Sequence, residues 1–323
     1  MKVLEAVPDG DGYRCALVDA ERPVPAAGEV LVRVEASGLN RADLSQIAGR
    51  YPPPPGEPAT LGLELSGTVV DSGGRVCALV AGGAHAEYAA VPKGQVLPVP
   101  GGTTLRDAAA IPEAFLTAYL NLVVEGGLAR GKRALVHAGA SGVGLAAIQT
   151  ARWLGAIVAA TTRSASKLEA LRQAGADPAI DTSAGPFEEA IVRAWGRESV
   201  DVILDPVGAA TLAGDLDVLA LEGRIVFLAT MSGARAELDI ARLMGRRGRV
   251  IGSTLRSRSR EDKARLVERF RAEMLPGFDA GALRVAVDST FPPESAGEAF
   301  SRMRQNQNAG KILLDWTRVG KAG

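Results

Sequence analysis

The stretch HAGASGVG, residues 137–144, decides how this chain is read. It lies between a short apolar run, ALVHA (134–138), and a segment in which Val143, Ala147, Ala151 and Leu154 recur at helical spacing. Gly139, Ser141 and Gly144 occupy the three positions of a G-x-G-x-x-G turn, with serine in the middle place and Gly142 beside it. Such a turn lets the backbone approach a pyrophosphate and aims the free N–H groups of a helix N-terminus at it. A glycine-rich hexamer alone is weak evidence. A strand before it, a helix after it and strand–helix alternation downstream are the context that makes it a dinucleotide site.

That alternation continues outward from the turn. AIVAATT (156–162) reads as a strand, SASKLEALRQAGA (164–176) as a helix ending at Gly175, and DPAID (177–181) as a short strand. FEEAIVRAWG (187–196) reads as a helix, followed by the strands DVILDPVG (201–208), GRIVFLA (223–229) and RVIGSTL (249–255). Strands alternating with helices give βαβ units and a doubly wound parallel sheet. Upstream, residues 1–115 carry short β-like runs, EVLVRVEAS, GTVVD, RVCALVA and HAEYAAV, punctuated by YPPPPGEP and VPGG. This is an irregular, mainly β domain. After a helix over 261–275, with Leu266, Val267, Phe270 and Met274 inward, come LRVAVDS, the helix PPESAGEAFSRMRQ and the strand KILLDW. The expected division is 1–115 with 260–323 as one domain and 116–259 as the cofactor domain, an α/β fold overall.

The 323 residues suffice for two domains with real cores, and 47% apolar content marks a globular chain. Lysine plus arginine and aspartate plus glutamate number 37 each, which argues against a nucleic-acid or anionic-membrane partner. No run of about 20 apolar residues suggests a spanning helix, and MKVLEAVPDG has no signal-peptide core. Two cysteines, Cys15 and Cys77, make no disulfide framework, so a cytoplasmic enzyme is expected.

The second strand selects the cofactor. NAD binders place a carboxylate about 20 residues beyond the turn, for the ribose 2′-hydroxyl. Here TTRSASK (161–167) has none; Arg163, Ser164 and Lys167 suit a 2′-phosphate, arginine by planar two-pronged contacts and lysine as a point charge. NADPH is the expected cofactor. The loops after later strands should run along it at the carboxyl ends of the sheet, bringing Val207 and Gly208, Thr230 and Met231, and Ser253 and Leu255 to the cofactor.

SGLNRADLSQIAGRYPPPPG (37–56), LGLELSG (61–67), AAAIPEAFLTAYLNL (108–122), HAGASGVGLAAIQ (137–149), GSTLRSRS (252–259) and NAGKILL (308–314) carry a wider likeness. Through them the chain resembles the medium-chain dehydrogenase/reductase superfamily, and within it the zinc-independent quinone oxidoreductases related to zeta-crystallin. IPEAFLTA, HAGASGVG and TLRSRS are similar to the tumour-suppressor-inducible branch. The resemblance implies a Rossmann sheet beside a GroES-like catalytic domain.

In zinc members of that superfamily a cysteine near position 40 and a histidine near 63 hold the metal. Here those places are Asn40, in LNRADLS (39–45), and Leu63. Zinc takes cysteine, histidine or carboxylate ligands, and no metal is expected. A site without a Lewis acid suits acceptors that already take hydride well, such as quinones, enones and conjugated thioesters, with hydrogen-bond donors to steady the oxyanion.

The resemblance implies substrate-side roles for Asn40, Asp43 and Tyr51: Asn40 bonding substrate or nicotinamide ribose, Asp43 orienting Asn40 or a water, and Tyr51 stacking or donating its hydroxyl. It sets Thr117 near the nicotinamide and gives Lys311 reach to a phosphate. His137, Cys77 and His85 are read as packed or unassigned residues, and RSRSRED (256–262) as a solvated turn and helix start. Two departures stand out: the 70–83 segment is about ten residues shorter than in relatives, and Ala229 stands where many have glycine. The leading expectation is an NADPH-dependent reductase of quinones. An enoyl or alkenal reductase is the alternative, and a non-catalytic NADPH-binding protein a third. Relatives pair through the sheet edge, so a homodimer through RVIGSTL is expected.

Overall fold

The computed structural model describes residues 1–10 and 12–320. The chain forms two compact units, 1–116 with 256–323 and 117–255. It thus re-enters the first unit at Arg256 rather than at 260.

The first unit is built on a seven-stranded sheet. In spatial order its strands are Val287–Phe291, Lys311–Asp315, Glu29–Gly38, Glu64–Val69, Arg75–Leu79 and Val96–Pro98, with Tyr88–Pro92 also paired to Glu29–Gly38. Alternation in EVLVRVEAS explains its seating: Val32, Val34 and Ala36 face inward and are buried, while Arg33 between them is exposed. They pack with Leu61, Leu65, Ile312, Leu314, Phe300 and Trp316, some in one cluster and Ala36 in a smaller one beside Leu313. The shortened 70–83 segment is a tight hairpin between Glu64–Val69 and Arg75–Leu79. Val69 N–H donates to the Gly74 carbonyl over 2.9 Å, and Gly73 takes φ 72° to close the turn. The helix Arg260–Asp279 starts at Ser259, whose hydroxyl accepts from Asp262 N–H, and buries Leu266, Val267, Phe270 and Met274. A separate hairpin, Lys2–Asp9 with Gly12–Asp19, was not legible in the sequence.

The second unit is a six-stranded parallel sheet in the order Ala179–Asp181, Ile157–Thr162, Arg133–Val136, Val200–Asp205, Leu219–Phe227, Arg249–Gly252. The strand order reverses between Arg133–Val136 and Val200–Asp205, the place where open sheets of this kind bind ligands beyond their carboxyl ends. Helices Gly142–Trp153, Leu168–Ala174 and Phe187–Trp195 fall where the sequence periodicity puts them. Two further short helices, Leu212–Val218 and Ile240–Gly245, carry too few residues for a periodic signal. One helical stretch, Asp107–Glu125, is long and apolar enough by composition to cross a membrane, against the expectation of no such run; 78% of its apolar window is buried within the protein, as in a core helix.

Candidate functional site

In the second unit the glycine-rich turn is shaped by contact. Ala138 adopts φ 50°, a left-handed conformation that aims the chain into the turn. Gly139 N–H donates to the Thr161 carbonyl over 2.7 Å, and a Cβ at Gly139 would stand 2.9 Å from Ala160 Cβ. A Cβ at Gly144 would meet the Ala138 carbonyl oxygen at 2.5 Å, so the third glycine is fixed by close packing of loop on helix. Ser141 caps the helix: its hydroxyl accepts from Gly144 N–H over 3.0 Å. The first-turn residues Gly142 and Val143 remain half-buried at the helix start.

Beneath the turn, buried His137 bridges two strands and a helix. One ring nitrogen, Nε2, lies 2.8 Å from Asp215 Oδ1, and Nδ1 lies 3.0 Å from the Thr161 hydroxyl. Burial pushes the imidazole down, but the Asp215 charge and hydrogen bond outweigh it and raise its pKa. His137 is therefore a tie between the strand ends that frame the turn.

Arg163 is exposed just beyond the strand Ile157–Thr162, with Ser164 half-buried and Lys167 in the turn that follows. The Ser164 hydroxyl lies 2.9 Å from that of Ser166. At the end of the strand Val200–Asp205, Asp205 organises the next loop: its Oδ1 accepts from Val207 N–H at 2.5 Å and Gly208 N–H at 3.1 Å, and its Oδ2 from the Thr211 hydroxyl at 2.6 Å. Gly208, at φ 93°, packs against Thr230, and Met231 N–H donates to the Pro206 carbonyl over 3.2 Å. The loops holding Val207, Gly208, Thr230 and Met231 are thus laced together. Ser253 N–H donates to the Phe227 carbonyl, and Leu255 is buried. The buried hydroxyls of Thr117 and Ser253 have no hydrogen-bond partner among the described residues. Orphaned hydroxyls, a turn that excludes side chains and basic residues at the adjacent strand end fit a phosphorylated dinucleotide.

The first unit holds a buried polar chain. Asn40 N–H donates to Asp43 Oδ2 over 2.7 Å, and Asp43 Oδ1 accepts from Gly62 N–H over 3.2 Å. His85 Nε2 stands 3.5 Å from Asp43 Oδ2, while its Nδ1 lies 2.7 Å from the Ser37 hydroxyl, which also accepts from Trp316 Nε1. Asn40 Nδ2 donates to the Gly38 carbonyl and to Glu64 Oε1, 3.1 Å each. Lys311 Nζ donates to the Leu39 carbonyl over 2.6 Å and Asn40 Oδ1 over 2.7 Å, and pairs with Glu64 Oε1. Asp43, Glu64, His85 and Lys311 are all buried.

These contacts correct several expectations. Lys311 was expected to reach a phosphate; its three N–H donors are all engaged inside the first unit, where it is the counter-ion of Glu64. Asn40 was expected to bond substrate or ribose; both N–H donors of its amide are committed, and only the second lone pair of Oδ1 is left. Asp43 lies beneath the surface, holding the Asn40 backbone. RSRSRED is no solvated patch at its start: Arg256 is buried, donating to the Ala81 carbonyl, the Tyr51 carbonyl and Gln46 Oε1. Its guanidinium lies 5.1 Å over the Tyr51 ring, which fixes that half-buried ring.

Sequence reasoning missed Glu64, Glu113 and Arg256. A signal for Glu64 existed: in LGLELSG a lone carboxylate stands between leucines that alternate inward. The two positions where zinc relatives carry ligands are buried Asn40 and Leu63, an amide and an aliphatic chain. Among the described residues no group of three or more histidines, cysteines or carboxylates could hold a metal ion.

Comparison with known proteins agrees with both units. The Zinc-binding dehydrogenase family model matches residues 142–272, and the Alcohol dehydrogenase GroES-like domain model matches 26–101. The human synaptic vesicle membrane protein VAT-1 homolog is 30% identical over 318 residues, covering 91% of this chain and 81% of that protein. The quinone oxidoreductase of Thermus thermophilus, solved also as its complex with NADPH, is 34% identical with a TM-score of 0.83, covering 98% of this chain and 100% of that one. JamJ enoyl reductase, solved in its apo form, is 26% identical with a TM-score of 0.83 over 97% of this chain and 98% of that one. The chain belongs to the medium-chain dehydrogenase/reductase superfamily, in its zinc-independent, quinone-oxidoreductase-like group.

Proposed function

We propose that this protein is an NADPH-dependent, metal-free reductase of small, planar, conjugated acceptors, most of all quinones. The observation that carries the reading is the pairing of two features. The second unit has the dinucleotide turn with basic Arg163 and Lys167 in place of a ribose-binding carboxylate. The first unit has Asn40 and Leu63 where a metal would be held. The NADPH complex of the Thermus thermophilus relative supports the same cofactor.

In this reading Gly139, Ser141, Gly142, Val143 and Gly144 cradle the pyrophosphate, and Arg163, Ser164 and Lys167 hold the 2′-phosphate. Thr117, Val207, Gly208, Thr230, Met231, Ser253 and Leu255 line the nicotinamide half. Bound NADPH supplies a hydride. The first unit's part is to hold the acceptor: Tyr51, clamped by Arg256, offers a flat face. Anaerobic NADPH oxidation with an ortho-quinone, a para-quinone, a 2-alkenal and an enoyl thioester, with NADH in parallel, tests the reading. An enoyl reductase is the second reading, favoured by the likeness to JamJ enoyl reductase; activity on the thioester alone would select it. TLRSRS and IPEAFLTA support the narrower likeness to the tumour-suppressor-inducible branch.

We also infer a homodimer through the strand Arg249–Gly252. It stands at the edge of its sheet, and exposed Ile240, Met244 and Val250 lie on it or just before it. An open edge beside apolar side chains calls for a covering partner.

A further inference from the structure

The parallel sheet of the second unit sets two arginines side by side. Arg224, in the strand Leu219–Phe227, and Arg249, which opens the edge strand Arg249–Gly252, are register partners. Side chains at paired positions of neighbouring strands share a face, and like charges there oppose the pairing. No ion pair among the described residues offsets the two. Arg224 Nη1 donates to the Glu125 backbone carbonyl over 2.8 Å, and no hydrogen bond or ion pair reaches the exposed Arg249 side chain. A local choice that works against the fold, with no compensating contact inside the chain, marks a functional position.

Both arginines line a cavity of about 350 Å³, together with Lys132, Asp201, Glu222 and Arg247. That size is at the lower end of small-ligand sites. Four cations face two carboxylates, so the lining carries a net charge of +2. Each carboxylate is already paired: Asp201 with Lys132 over 3.1 Å, and Glu222 with Arg247 over 3.1 Å. The surplus charge is therefore that of Arg224 and Arg249. The wall is shaped around the Arg224 guanidinium: a Cβ at Gly127, which takes φ 66°, would stand 2.8 Å from Nη1. Glu222 and Arg247 hold left-handed conformations, φ 62° and 46°, that residues with side chains rarely adopt. A guanidinium has five N–H donors; one of those of Arg224 is engaged, and none of those of Arg249.

The cavity lies toward the amino ends of the parallel strands. Lys132 precedes Arg133–Val136, Asp201 is second in Val200–Asp205, and Arg249 is first in its strand. The glycine-rich turn and the loops expected to meet the cofactor follow the carboxyl ends of the same sheet. The cavity is thus a second place for an anion, at the opposite end.

We propose that it binds a small phosphate dianion, free or carried as a phosphomonoester, between Arg224 and Arg249. A phosphomonoester carries about −1.5 to −2 charges at neutral pH, which matches the surplus. Its oxygens accept the paired N–H bonds that a guanidinium fork offers. Bound there, the anion offsets the repulsion of the two arginines and ties the edge strand to its neighbour. The site does not depend on which acceptor the protein reduces.

The test is calorimetric titration of the NADPH-saturated protein, its cofactor turn filled, with inorganic phosphate and with glycerol 3-phosphate at constant ionic strength in chloride. Wild type should bind one equivalent. Arg249→Ala should weaken binding by roughly 10- to 100-fold and leave the NADPH dissociation constant unchanged. Arg249→Lys, which keeps the charge and loses the paired donors, should fall between the two. Without phosphate, Arg249→Ala should be no less stable to urea than wild type, and added phosphate should stabilise wild type alone. The tighter of the two ligands identifies the source, the free ion or the ester. Saturable binding of neither ligand by wild type would overturn the site. So would equal binding by wild type and Arg249→Ala, the mark of an adventitious ion only.

Discussion

The ammonium of Lys311 donates to Asn40 Oδ1 over 2.7 Å, and the same Asn40 amide donates to Glu64, the counter-ion of that lysine. A strand near the end of the chain and a loop near its beginning are thereby locked together by buried charge. Removing one partner of such a pair leaves the other buried and unpaired, at a cost of about 3–5 kcal/mol. Lys311→Met should lower the stability to urea by that order. Lys311→Met combined with Glu64→Gln should recover part of the loss in a double-mutant cycle.

The cofactor preference is set by Arg163 and Lys167 in the proposed reading. A hydrogen bond to a charged group contributes about 1.5–3 kcal/mol. Arg163→Ala should therefore weaken NADPH binding by roughly 10- to 100-fold and leave NADH nearly unchanged, as read by calorimetry with each cofactor. Equal losses for both cofactors would place Arg163 elsewhere.

Glu113 makes stability depend on pH in a definite direction. Its folded pKa, about 8, lies above the ordinary carboxylate value of 4.5. The unfolded chain thus loses the proton first, and the contribution of Glu113, full below the unfolded value, is lost as pH rises through about 8. Glu113→Gln keeps a neutral side chain at all pH. It should match wild type at about pH 5 and exceed it at about pH 9, by about 1 kcal/mol, or about 2–4 °C in melting temperature. Solvent screening of the half-buried carboxyl keeps the effect well below the full shift.

Charge placed on an open strand edge blocks pairing. Val250→Lys should convert a dimer of the chain to a monomer in light scattering at micromolar concentration, with the second unit still folded. A wild-type chain already monomeric under those conditions would rule out the edge pairing.

Much of the fold was legible because its signals are local. The turn at 137–144 announces itself by glycines that a Cβ would overfill, and the alternation in EVLVRVEAS shows which face is inward. The loops expected to meet a cofactor could be placed for the same reason: they follow the ends of the parallel strands in order. The buried polar cluster of the first unit could not. Glu64, Glu113, Lys311 and Arg256 lie far apart in sequence and acquire meaning only by meeting. Lys311 looks like a surface lysine before a strand, and its burial is decided by Glu64, which no nearby residue foretells. Arg256 sits in a run of arginines that reads as solvated, yet three acceptors in other segments take it inward.

The central claim is hydride transfer from NADPH to a conjugated acceptor without a metal. Its most direct measurement is anaerobic NADPH oxidation against the quinone, alkenal and thioester panel, before and after exhaustive treatment with a strong chelator. The account predicts turnover of a quinone with NADPH, roughly tenfold or more above that with NADH, and no change after chelation. Activity abolished by the chelator and restored by zinc, or an enzyme that turns over only simple alcohols, would contradict it.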